Sequence, residues 1–364
     1  MSKVTTNRLN GIDLCRGLAA FAVILVHSGD ETWGLPISEA AIRFRYLFYF
    51  AVPFFLATSL YFGTRKLPIT IDGNFWRKKF KRIVIPYLLW SLFYVVMKTG
   101  IYSLTNKTDE LQRMLADPTA LIFFGAASYH LYFIPLLIAG LALLYLANYL
   151  NKQNNQTLVL SAFVIFSLII YQLLFSFQND FNLSNNTAFP ELLQLISIDN
   201  LLYQPWRIVL VYLSWAVRCL PYLAIALFVN HILQQNIGRW FYSRTTATVL
   251  LVICVLANAF AEQVLPIALS ETIIAYSALL FGIAISKYLP ESNLISSLGA
   301  CSFGIYLIHP VIKRAIDILL VKFVPQVTQS ISISSMLTYT VATFIVSWIV
   351  IYLMRQNKLI AQYV

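Results

Sequence analysis

The sequence predicts an all-α, polytopic membrane helix bundle of about ten transmembrane helices, and three observations carry that prediction. Of 364 residues, 59% are hydrophobic and only 11% are charged, against about a quarter charged in a typical soluble domain. Mean hydropathy is +0.72. Apolar runs of about 18 to 25 residues, the length that crosses a bilayer, recur along the whole chain. No polar segment between them is long enough to fold as a soluble domain, so residues 1–364 read as a single transmembrane domain.

Taken in order, the helices fall near 12–32, 42–63, 83–103, 130–150, 157–177, 208–233, 245–263, 270–288, 299–320 and 332–354, with ends uncertain by several residues. Lys3 and Arg8 precede the first run as in a signal peptide. That run contains Arg16 and is followed by no small-residue cleavage site, so it reads as a retained span. The connection 64–82 carries Arg65, Lys66, Arg77, Lys78, Lys79, Lys81 and Arg82, whereas 33–41, 178–206 and 264–269 hold no lysine or arginine. By the positive-inside rule the basic loop is cytoplasmic, and an even count of spans puts both termini there too, in an inner (plasma) membrane. Lys313, Arg314 and Lys322 dissent, and are read as an amphipathic continuation of the ninth span at the outer surface. The long outer connections 104–129 and 178–206 are of a length that is often functional.

The net charge of +11 invites a nucleic-acid partner, but its distribution fits loop retention on the cytoplasmic side better, and no such partner is expected. Cys15, Cys219, Cys254 and Cys301 all fall in apolar runs without close pairing, so neither structural disulfides nor a metal site is expected. No repeat suggests the inverted halves of a secondary transporter.

The first span, "IDLCRGLAAFAVILVHSGDE", carries the chemistry. At about 100° and 1.5 Å per residue, Arg16 and His27 share a face within roughly 20° and lie about 16 Å apart, and Asp13 joins that face. A charge inside a span costs up to about 2.5 to 3.5 kcal/mol on insertion scales, so such groups face protein or a wet cavity, and function is the default hypothesis. The bland reading of Asp13 and Arg16 is an i,i+3 ion pair at the interface. For His27, a hydrogen-bonded core histidine is the bland reading. Asp30 and Glu31 follow at i+3 and i+4, where either would orient the imidazole as a general base requires. The same groups would serve a proton relay, so chemistry alone leaves enzyme and pump both open.

This pattern, a basic residue, ten others, then histidine, resembles the opening span of the membrane-bound acyltransferase-3 family, with Arg16 and His27 in place. "AVPFFLATSLYF" (Ala51 to Phe62) is similar to the family's second span, and "FWRKKFKRIVIPYLLWSL" (Phe75 to Leu92) to its basic linker and third span. Lys79 and Arg82 match the paired-basic spacing, with lysine in the first place. "SYHLYFIPLLI" (Ser128 to Ile138) resembles a histidine, leucine and aromatic segment, with Tyr132 where tryptophan is common. "SLGACSFGIYLIHPVI" (Ser297 to Ile312) resembles the closing serine, tyrosine and histidine segment. These matches keep family order over nearly the whole chain.

The resemblance implies transfer of an acyl group, acetyl in the first place, from cytoplasmic acyl-CoA to a hydroxyl of an extracytoplasmic glycan or lipid-linked sugar. It implies no permanently bound cofactor, since acetyl-CoA or another acyl-CoA is a substrate. His27 is then the base, with Arg16, Asp13 and Asp30 beside it in the catalytic set. Lys79, Arg82, Lys78 and Arg16 would meet the donor's phosphates, although the basic loop also suits an anchor on lipid headgroups. Ser128, His130 and Tyr306 are candidates for stabilising the oxyanion. Arg218 is a second intramembrane charge, while His309, before a proline, and His231, at a helix end, read as structural. Membrane lipids are expected partners, and self-association is left open. The rival readings are a proton-coupled transporter or flippase for a sugar-bearing or anionic lipid, and an accessory subunit with a decayed site.

Overall fold

The computed structural model describes residues 8–28, 37–65, 67–68, 70–150, 155–235, 241–323 and 331–364. The chain forms two compact units, one of residues 1–58, 233–362 and 364, the other of residues 59–232 and 363. Among the described residues the regular structure is helical, with two isolated β-bridges and no strand.

The first unit contains α1 (Asn10–Val26), α2 (Glu39–Tyr46) and the start of α3 (Ala51–Thr64). Its remaining helices come from the C-terminal part of the chain. In the order of the whole chain these are α12 (Arg244–Val264), α13 (Ile267–Ile285), α14 (Asn293–Phe323) and α15 (Ile333–Gln356). α1 packs against α13, α14 and α15, so the oldest part of the chain is surrounded by the newest. Small residues permit this: a Cβ on Gly11 would run into the carbonyl oxygen of Gly282 on α13, so the two backbones touch where glycines meet. Leu25, Ala41, Ile331 and Met336 form a buried cluster around the far end of α1, and Ile37 pairs with Ile331 in a parallel bridge beside it. α2 starts on Ser38, whose hydroxyl accepts from the Ala41 amide, and α15 on a reciprocal Ser332/Ser335 capping box.

The second unit holds α4 (Gly73–Lys79), a π-helical turn (Phe80–Val84) and α5 (Ile85–Leu104) in direct succession. Asp72 caps α4 by accepting from the Phe75 amide at 2.8 Å. Then come α6 (Thr108–Leu115), a second π-helical turn (Ala120–Phe124), α7 (Phe133–Ala142), α8 (Leu144–Leu150), α9 (Gln156–Ser176), α10 (Pro190–Leu193) and α11 (Tyr203–Gln234). α9 leaves Leu158, Ile165, Phe166 and Ile169 uncovered by protein, as a lipid-facing helix does. The unit is pinned by Arg207, which donates to Asp117 at 2.5 Å and to the Asn186 carbonyl at 3.0 Å while its guanidinium lies over the Phe124 ring. Asn230 donates to the Tyr61 carbonyl and the Thr64 hydroxyl at 3.1 and 2.8 Å.

Nine helical segments of the described residues are long and apolar enough to cross a membrane, and they fall on the second to tenth expected spans. α1 falls on the first and, at 17 residues, is shorter than the 12–32 expected. The connection 178–206 is partly built, with an Asn182–Thr187 bridge and α10. On the ninth expected span, α14 continues as a helix to Phe323, as expected of a continuation. Arg314 and Lys322 are exposed as an amphipathic continuation requires, but Lys313 is buried, at 3% exposure. Adjacent residues on a helix point about 100° apart, so one basic run serves two faces.

Candidate functional site in the first unit

The start of α1 is an arginine cluster around one carboxylate. Asp13 is buried and accepts from Arg8, which also donates to the Ser296 carbonyl at 2.9 Å. The i,i+3 pairing of Asp13 with Arg16 suggested by spacing therefore gives way to Arg8. Asp13 fits because α14 presents Gly299 to it, and a Cβ at that position would overlap the carboxylate. Half-buried Arg16 makes no hydrogen bond or ion pair among the described residues. Its electrostatic neighbours are Asp13, Arg8 and Arg355. Three arginines around one carboxylate leave an excess of positive charge, which attracts an anion. A cavity of about 370 Å³ opens at the same end of α14 and α15, lined by Ser296, Ser297, Tyr352, Arg355 and Gln356 among others. Trp348 fixes one wall by donating to the Ser297 hydroxyl at 3.1 Å.

The other end of α1 carries His27. The helix ends at Val26, and His27 is its C-cap, with φ −93° and ψ 9°. α1 has no basic residue in its last turn, although the last carbonyls of a helix need donors and favour positive charge. Lys313 of α14 supplies both, donating its ammonium to the His27 carbonyl. A hydrogen bond from a charged donor is worth about 1.5 to 3 kcal/mol. The carbonyl of Lys313 in turn accepts from the Tyr339 hydroxyl of α15 at 2.9 Å. Next to His27, the Ser28 hydroxyl donates to the Ile24 carbonyl at 2.7 Å and lies 3.1 Å from the Thr340 hydroxyl. The half-buried imidazole thus hangs from a helix end tied to two other helices.

His309, one turn before Lys313, faces the same place. Its ring is fully buried and lies nearly parallel to that of His27, with centroids 6.3 Å apart and planes 23° apart. The "HP" pair sets its state. Pro310 has no N–H, so the Tyr306 carbonyl, four residues earlier, receives no helical hydrogen bond. His309 Nδ1 is 2.8 Å from that oxygen. A carbonyl only accepts, so Nδ1 carries the hydrogen, and in the neutral ring Nε2 holds the lone pair. Asp317, one turn beyond Lys313, is also buried. His309, Lys313 and Asp317 form a polar stripe at i, i+4, i+8 that sequence reading missed, although the spacing was there to be seen.

The expected donor-binding residues belong to the second unit. Lys79 ends α4, half-buried, with its ammonium 5.5 Å from the centroid of the Phe75 ring. Lys78 is exposed beside it, and Arg82 is exposed in the π-helical turn, a feature common at functional sites. His130 is buried, with its ring 5.5 Å from Tyr94. His231 meets the Thr157 hydroxyl at 2.8 Å, which suits the structural role expected of it. Asp30 and Glu31, the expected partners of the imidazole, lie outside the described residues.

Apolar helices of membrane-crossing length, nine of them among the described residues, with charged and imidazole side chains buried between them, define a multi-pass membrane protein with an internal polar site. Its sequence matches the acyltransferase-3 family, an acyltransferase domain, over residues 9–352. The chain belongs to that family and is an acyltransferase. No curated protein and no solved structure matches it.

Proposed function

We propose that the protein moves an acyl group, acetyl in the first place, from cytoplasmic acyl-CoA to a hydroxyl of an extracytoplasmic glycan or lipid-linked sugar, working in the inner (plasma) membrane. One observation supports this most: in a chain of the acyltransferase family, the histidine of the first helix is held in place by charged and polar groups from two other helices. His27 removes the proton from the acceptor hydroxyl as its oxygen attacks the thioester carbonyl. The carbon–sulfur bond breaks, the imidazolium returns the proton to the departing sulfur, and the products are an ester and the coenzyme A thiol. Arg16, in its cluster with Arg8 and Arg355, attracts the anionic donor. Lys79, Arg82 and Lys78 add charge-assisted hydrogen bonds to its phosphates.

The test is coenzyme A thiol release from acetyl-CoA by the purified protein in lipid, with crude envelope glycans as acceptor. Release by wild type that requires glycan and is abolished in His27→Ala, with that variant still inserted and folded, supports the reading. A properly folded wild type that releases no thiol from acetyl-CoA or from longer acyl-CoAs overturns it.

A further inference from the structure

A catalytic imidazole is only as good as its placement, since an error near 1 Å costs about a hundredfold in rate. His27 is the C-cap of α1, one residue past its last helical residue Val26, and Ser28 after it is a bend. Such a position frays unless something outside the helix holds it. Beside the Ser28–Thr340 contact with α15, the groups that meet His27 itself come from one face of α14. His309 and Lys313 are one turn apart, so both side chains point the same way; the first lies beside the His27 ring and the second grips the His27 carbonyl.

We propose that His309 and Lys313 are positioning residues for His27, the one fixing its ring and the other its backbone, and that Pro310 is the device that presets His309. This deepens the acyltransfer reading and rests on it. Pro310 vacates the Tyr306 carbonyl, the His309 ring takes that oxygen, and the ring is thereby locked in orientation and in tautomer. Lys313 carries its charge at the C-terminal end of α1, where α1 has no cation of its own. Tyr339 of α15 holds the lysine's own backbone by donating to its carbonyl. The arrangement gives Pro310 a purpose opposite to the usual one: it costs helix stability and yields side-chain order.

The two halves of the proposal separate experimentally. In Pro310→Ala the new amide competes for the Tyr306 carbonyl and releases the ring, so kcat falls roughly ten- to hundredfold with the acetyl-CoA KM unchanged, while the melting temperature rises. A merely structural proline would give a more stable enzyme with full kcat. Lys313→Met keeps length and removes charge, and kcat falls by a similar factor at constant KM; Lys313→Arg restores most of it. Hydrogen exchange in lipid nanodiscs reads placement without reference to catalysis: the His27 and Ser28 amides exchange faster in Lys313→Met than in wild type or Lys313→Arg. Unchanged kcat in both Pro310→Ala and Lys313→Met overturns the proposal. If wild type shows no His27-dependent thiol release, the acyltransfer reading fails, and hydrogen exchange alone decides: faster exchange in Lys313→Met supports positioning, and unchanged exchange overturns it.

Discussion

Arg8 is bonded to Asp13 across the first turn of α1, so the carboxylate nearest Arg16 along the chain is already engaged. Asp13 remains an electrostatic neighbour of Arg16 but is hydrogen-bonded to Arg8, and on the proposed function the charge of Arg16 serves the anionic donor. Removing Arg8 should hurt ligand binding although it adds no negative charge. Arg8→Ala lets Asp13 turn to Arg16 and raises the acetyl-CoA KM several-fold, about 1 kcal/mol, with kcat nearly unchanged. Thiol-release kinetics check this, and the double variant Arg8→Ala/Asp13→Asn recovers most of the loss.

Gly299 exists to admit Asp13. A methyl group there meets the carboxylate, and overpacking of this kind costs about 1 to 3 kcal/mol. Gly299→Ala should lower the melting temperature in lipid. Adding Asp13→Ala, which shortens the facing side chain, should recover part of the loss, and a double-mutant cycle will report the coupling between these neighbours.

Lys79 and Arg82 predict a different signature from His27. Lys79→Ala with Arg82→Ala removes the two cations proposed to meet the donor's phosphates and should raise the donor KM about tenfold with less effect on kcat. Because both side chains are at least partly accessible, the wild-type KM should itself rise with ionic strength, and the double variant should lose most of that salt dependence. Initial rates over a range of salt and acetyl-CoA concentrations measure both.

In the second unit, Arg207 predicts a stability effect. Removing one partner of a buried ion pair costs about 3 to 5 kcal/mol. The Asp117 side chain keeps 33% exposure, so water relieves part of the penalty, and Arg207→Met should cost about 3 kcal/mol, at the low end of that range. Thermal unfolding in detergent checks it. Asp117→Asn added to Arg207→Met should cost little more, since the unpaired charge is then gone.

Much of this was legible in the sequence because bilayer helices announce themselves by length and composition. The expected spans from 42–63 to 332–354 all correspond to helical segments, and α1 lies where Arg16 and His27 mark it. What stayed hidden depends on contacts between distant helices. Nothing local to Asp13 says that Arg8 wins over Arg16, since both are within reach and packing against Gly299 and Ser296 decides. Lys313 reads as part of an amphipathic continuation at the outer surface because, with Arg314 and Lys322, it dissents from the positive-inside count. Its neighbours at i−4 and i+4, His309 and Asp317, were the better guide. His309 reads as a hydrogen-bonded structural histidine from the proline after it, and it is hydrogen-bonded to the Tyr306 carbonyl that Pro310 leaves open; its nearness to His27 is what the sequence does not show.

The lysine that holds the end of α1 lies 286 residues downstream of the histidine it serves. During synthesis α1 enters the membrane first and waits, its last carbonyl unmet, until α14 has been made and inserted. A nascent or truncated chain that stops short of α14 carries the acyltransferase signature of the first span but no held imidazole. On the proposed function, the positioned base is thereby withheld from every chain that lacks α14, and the site is assembled only late in synthesis.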